Sequence, residues 1–95
     1  MAWERKIIRT VRVRNSQKKG VLAKLLTAIT EAGGGLGSIV LLTETSQNVV
    51  RDITINAEDE ASLKAIVEAI HNNEGTRVLE VRDEVLELHQ KGKIA

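Results

Sequence analysis

Apolar and polar positions divide this chain into six periodic stretches. In KIIRTVRVR, residues 6–14, Val11 and Val13 point to one side while Thr10, Arg12 and Arg14 point to the other. That period of two predicts a half-buried strand. Polar residues Asn15 to Lys19 end it, and Gly20 opens VLAKLLTAITEA. Val21, Leu22, Leu25, Leu26 and Ile29 there follow helical spacing. The run Gly33-Gly34-Gly35 stops the helix, because glycine enters left-handed backbone at little cost. LGSIVLLTET, residues 36–45, reads as a second strand, and Ser46-Gln47-Asn48 as a turn. In VVRDITINA, Val49, Ile53 and Ile55 share one face and Val50, Asp52 and Thr54 the other, which completes a hairpin.

The acidic cluster Glu58-Asp59-Glu60 suits a helix start, where the peptide dipoles favour negative charge. Leu63, Ile66, Val67 and Ile70 form the stripe of a second amphipathic helix, and Asn72, Asn73 and Gly75 end it. RVLEVRDEVLELH is the last strand. Its apolar phase runs through Leu79, Val81 and Val85 and then shifts to Leu86 and Leu88, so a bulge is expected near Glu84. The order is βαββαβ. Two helices with single apolar stripes cover one face of one sheet. The predicted fold is therefore α+β and ferredoxin-like, a four-stranded antiparallel sheet in spatial order 4-1-3-2 with two helices on one face. Strand 2 then lies at an edge. From Leu36 to Thr43 it has neither charge nor proline, which invites pairing with the same strand of a second copy, in a homodimer or higher oligomer.

Ninety-five residues make a single domain with one modest core. Apolar residues are 42% of the chain, and Trp3 is the only aromatic, so the core must be aliphatic. The absence of cysteine excludes disulfides and thiolate metal sites. No stretch is long enough to span a membrane, and the start has no signal-peptide pattern, so a cytoplasmic domain is expected. Net charge is +1, which creates no general attraction for nucleic acid. Yet seven of the fourteen basic residues lie in the first nineteen positions, opposed only by Glu4. They form either a solvated strand face or a local anion or docking surface.

Chemistry is sparse. His71 and His89 have no nucleophilic or acidic companion in a recognisable motif, so no catalytic residue is named. No metal-ligand spacing and no cofactor motif occurs. The glycines from Gly33 to Gly37 follow a helix and precede a strand, the reverse of a nucleotide-binding loop. RNA recognition on a βαββαβ sheet needs aromatic residues on the central strands, and strands 1 and 3 have none. The informative segment is the turn from strand 1 into helix 1. The first N–H groups of a helix have no partner within it and suit a carboxylate or phosphate. Gly20 would admit a ligand closely, and Asn15, Ser16 and Gln17 would orient it. An equal alternative is a self-capped loop.

These residues resemble the ACT domain family. Val11-Arg12-Val13, Gly20-Val21-Leu22-Ala23-Lys24-Leu25 and Ala32-Gly33-Gly34 carry the resemblance in the first half, and Asp52-Ile53-Thr54-Ile55 with the acidic helix start in the second. Gly34-Gly35-Leu36-Gly37-Ser38-Ile39 and the ending from Leu88 to Ile94 are similar to the N-terminal ACT domain of bacterial and archaeal malic enzymes. The resemblance implies a regulatory domain over 1–95 without its own active site, with residues 91–95 as a tail toward a following catalytic region. It implies a small-molecule effector, an amino acid or anionic metabolite. Gly20, Val21 and Leu22 would be backbone donors, Asn15, Ser16, Gln17, Lys18 and Lys19 the contacting turn, and Gly35 and Leu36 would approach from a neighbouring subunit. Where the family has an acidic residue and a proline in that turn, this chain has Gln17 and Lys19, which favours an anion over an amino acid. A ligand-free dimerisation module is the alternative, and an RNA- or nucleotide-binding domain a lesser one.

Overall fold

A computed structural model describes residues 7–83. Trp3, His89, the anticipated irregularity near Glu84 and the tail lie outside the described residues. The elements are β1 (Ile7–Ser16), α1 (Val21–Glu31), β2 (Gly35–Glu44), β3 (Asn48–Ala57), α2 (Glu60–His71) and β4 (Thr76–Asp83). The strands form one antiparallel sheet in the order β2-β3-β1-β4, the order expected from the apolar pattern. No helix among the described residues is long and apolar enough to cross a membrane.

Both helices lie over the central strands. Val11 and Val13 of β1, Ile53 and Ile55 of β3, Leu25 and Ile29 of α1, and Ile66 and Ile70 of α2 are all fully buried. Leu22, Leu26 and Val67 flank this cluster half-buried. Glycine at 34 permits the return from α1 to the sheet, since a Cβ there would come within 3.0 Å of both Ile29 and Ile66. The Asp59 side chain accepts from the Ser62 N–H at 2.7 Å and caps α2. That bond holds the Asp59 carboxyl below the usual range.

Three details depart from the sequence reading. First, β1 continues to Ser16, because Asn15 pairs with Val49 on one side and Thr76 on the other. A central strand has ladder partners on both flanks, which outweighs the polarity of Asn15. Second, the β1–β4 register slips between Arg12 and Val13, leaving Leu79 as the extra residue. Val78 therefore packs on the core, while Leu79 and Val81 are exposed. Third, Asn48 belongs to β3 rather than to the turn. The hairpin closes on Thr45, whose N–H donates to the Asn48 carbonyl at 2.8 Å and whose Oγ1 accepts from the Gln47 and Asn48 N–H groups.

The face away from the helices holds a charge cluster. The Asp52 carboxylate on β3 accepts from Arg12 Nε and Arg12 NH2 on β1, at 2.8 and 3.1 Å, and from Arg82 NH2 on β4 at 2.7 Å. One buried carboxylate thus ties three strands together.

β2 projects beyond the cover of the helices. Leu36 and Ile39 pair with Ile55 and Ile53, so they face the helix side, yet both remain exposed. Val40, Leu41 and Leu42 are exposed as well, Leu41 to 55%. The uncharged edge anticipated from the sequence is therefore present and open.

Candidate functional site

The β1–α1 turn meets the α2–β4 turn at one end of the sheet. Gly20 precedes α1 at φ +88° and ψ −8°, in left-handed backbone that only glycine adopts freely. A Cβ there would meet nothing within 4 Å, so the backbone angle, and not crowding by the rest of the chain, is what calls for glycine. No side chain caps α1. The Lys24 N–H closes the first intrahelical bond, to the Gly20 carbonyl at 3.0 Å, and the Val21 N–H donates to the Lys18 carbonyl at 3.3 Å. The Leu22 and Ala23 N–H groups lie before that first bond and have no partner within the helix.

Against this terminus the Ser16 N–H donates to the Gly75 carbonyl at 2.9 Å. Gly75 is also left-handed, at φ +80°, and a Cβ on it would come within 3.2 Å of Ser16 Oγ and of Val21. Here glycine does supply close approach. The result is a cleft of about 390 Å³ lined by Ser16, Lys18, Lys19, Gly20, Val21, Lys24, Glu74 and Gly75. Its lining includes three lysines and one glutamate.

The cleft gathers half of the residues named from the sequence. Asn15 is not among them. It is 1% exposed, its Nδ2 donates to Thr76 Oγ1 at 2.8 Å, and its Oδ1 accepts from Arg51 NH1 at 3.3 Å. Asn73 Nδ2 donates to the same Thr76 hydroxyl at 2.9 Å and to the Val21 carbonyl at 3.5 Å. These bonds form a polar support behind the cleft, and Asn15 positions its walls. Gln17 turns the other way, donating through Nε2 to Glu44 Oε2 and the Thr45 carbonyl. Ser16 Oγ accepts from the Lys18 N–H at 3.4 Å, a partial form of the self-capped turn. Leu22 packs half-buried on the core. Gly35 and Leu36 pair with Asn56 and Ile55. Asn56 in turn pairs with Ile8, eight residues along β1 from Ser16, or about 27 Å at strand rise. Within one chain they cannot reach the cleft.

Lys24, Glu74 and Gly75 were missed. Lys24 was visible, one helical turn beyond Gly20 and on the same side. Glu74 and Gly75 lie more than fifty residues away in a segment whose sequence marks only a helix end.

No family model matches the chain. Its fold matches that of the ACT domain from GTP pyrophosphokinase of Chlorobium tepidum, with a TM-score of 0.63 at 16% identity over 81% of this chain and 96% of that one. The fold is ACT-like. The regulatory subunit of aspartate kinase from Thermus thermophilus shares the ACT-like fold, with a TM-score of 0.59 at 15% identity over 82% of this chain and 52% of that one. Sequence similarity points in a narrower direction. The ACT-like chain is 34% identical over 89 residues, 93% of its length, to NAD-dependent malic enzyme 1 of Bacillus subtilis (strain 168). It is 29% identical over 85 residues, 90% of its length, to the NAD-dependent malic enzyme of Geobacillus stearothermophilus. It spans 20% and 18% of those two proteins.

Proposed function

We propose that this domain is the effector-binding and assembly module of a malic enzyme, with the cleft at the α1 N-terminus as its ligand site. The reading is carried by the cleft itself, where an uncapped helix start and three lysines converge. The malic-enzyme similarity supplies the context. Helix N-terminal N–H groups and ammonium groups together suit a carboxylate or phosphate. The effector is accordingly a small anionic metabolite. Glu74 favours one other reading, since its carboxylate gives the ammonium of an amino acid a partner on the opposite wall.

Isothermal titration against dicarboxylates, inorganic phosphate, nucleotides and amino acids tests this. An anion should bind, and Lys18→Gln/Lys19→Gln should weaken it about tenfold, the loss of roughly one charge-assisted hydrogen bond. If an amino acid binds instead and Glu74→Gln abolishes it, the zwitterionic reading replaces the anionic one. Silence across the panel leaves a ligand-free assembly module.

The assembly role is proposed to run through β2, edge to edge with a second copy. Its support is the open row Ile39 to Leu42 on an uncharged edge. Such a pair would also bring Gly35 and Leu36 of one copy toward the other. Val40→Asp and Leu41→Lys, made separately, should each halve the mass measured by light scattering while leaving the circular dichroism spectrum intact. An unchanged dimer mass would exclude this edge. A sensor of this kind works only if its ligand binds two arrangements of the pair with different affinity.

A further inference from the structure

Four cross-strand pairs in the described sheet place charge opposite charge. Arg12 faces Asp52 and Glu80, and Arg9 faces Asp83. These are opposite in sign and are drawn together as ion pairs, at 2.8 Å for Arg12 with Asp52. The fourth is Arg14 with Arg77, on β1 and β4. Like charges directly opposite each other in a sheet repel. Both side chains are on the face away from the helices, since Val13 and Val78 beside them point to the core. Among the described residues neither arginine makes an ion pair. The nearby Asp52 carboxylate already accepts from Arg12 and Arg82. Arg14 also pairs with the uncharged Val50 on its other flank.

We infer that Arg14 and Arg77 form a docking point for an acidic polypeptide segment. Two planar guanidinium forks side by side match carboxylates in geometry as well as charge, and a carboxylate between them cancels their repulsion. Neither arginine lines the cleft, although Arg14 lies two residues along β1 from Ser16, which does. The described residues include no aromatic side chain, so they give this face no stacking platform for bases. A chain segment that lies along the strands meets both arginines at once.

The test uses the 95-residue protein and a fluorescein-labelled hexaglutamate peptide, read by anisotropy at low salt and at about 150 mM salt. The peptide should bind at low salt and more weakly at the higher concentration. Arg14→Gln/Arg77→Gln should weaken binding at least about tenfold, and Lys18→Gln/Lys19→Gln by less than about twofold. Amide shifts on binding should fall in residues 12–16 and 76–80. The arginine double variant should melt no lower than the unsubstituted protein, because it removes a repulsion. The inference is overturned by no binding at low salt, by unchanged affinity in the arginine variant, or by loss in the lysine variant instead. It is also overturned by a clear fall in melting temperature of the arginine variant, or by tighter binding of an oligouridylate than of the peptide.

Discussion

Replacing Ile53 by alanine lowers the free energy of unfolding by about 3 kcal/mol. Ile53 is fully buried on a central strand, opposite Val11 on one flank and Ile39 on the other. Its side chain belongs to the cluster formed with Leu25, Ile29, Ile66 and Ile70. The loss combines transfer of the removed carbons to water with the cavity left behind. The cavity resists collapse because the surrounding β-branched side chains have few alternative rotamers. A domain of this size is stable by only about 5–15 kcal/mol, so one such change removes a large share. Thermal denaturation should record a fall of more than about 10 °C. Ile53→Val, which removes one methylene, should cost about 1 kcal/mol. A melting temperature within about 2 °C of the parent for the alanine variant would show that the core is not centred on this residue.

Asp52→Ala is expected to cost about 2 kcal/mol. The variant leaves two guanidinium groups, Arg12 and Arg82, facing each other without their shared carboxylate. Removal of one partner from a buried pair costs more, but these arginine side chains are 33% and 27% exposed, and water compensates part of the loss. The same cluster predicts acid sensitivity. The hydrogen bond from Arg12 and the charges of Arg12 and Arg82 outweigh burial and hold the Asp52 carboxyl below its usual range. In that window the unfolded chain binds the proton more readily, so stability rises with pH. The contribution is complete above the unfolded value near 3.9 and is lost as pH falls through the lower folded value. Denaturant midpoints followed from pH 6 down to about pH 2 should converge for the parent and Asp52→Asn, because protonation removes what the substitution has already removed. A constant gap would place the effect elsewhere.

Much of the fold was legible because both helices and the two central strands bury one face. Val11 with Val13, and Val49 with Ile53 and Ile55, alternate as a strand with one wet side must. Leu63, Ile66 and Ile70 repeat as one helix stripe must. β4 was read less well. A bulge at Leu79 reverses the face of every residue after it, and a bulge depends on the register of the partner strand, which local periodicity does not contain. Asn15 was misread for a related reason: its polarity suggests a loop, while its burial depends on Thr76 and Arg51, which the fold brings from distant segments. The site was legible on one wall only. The wall from Ser16 to Val21 is contiguous in sequence, whereas Glu74 and Gly75 reach it through the β1–β4 pairing.

The two edges of the sheet differ in valence. β4 offers Arg77, Glu80, Arg82 and Asp83 along a strand interrupted at Leu79, a contour on which a second strand cannot align without meeting charge. β2 offers the opposite. In the pair proposed through β2, only the guarded β4 edges would be left to a third copy, so growth would stop at a closed pair and not run on into a ribbon.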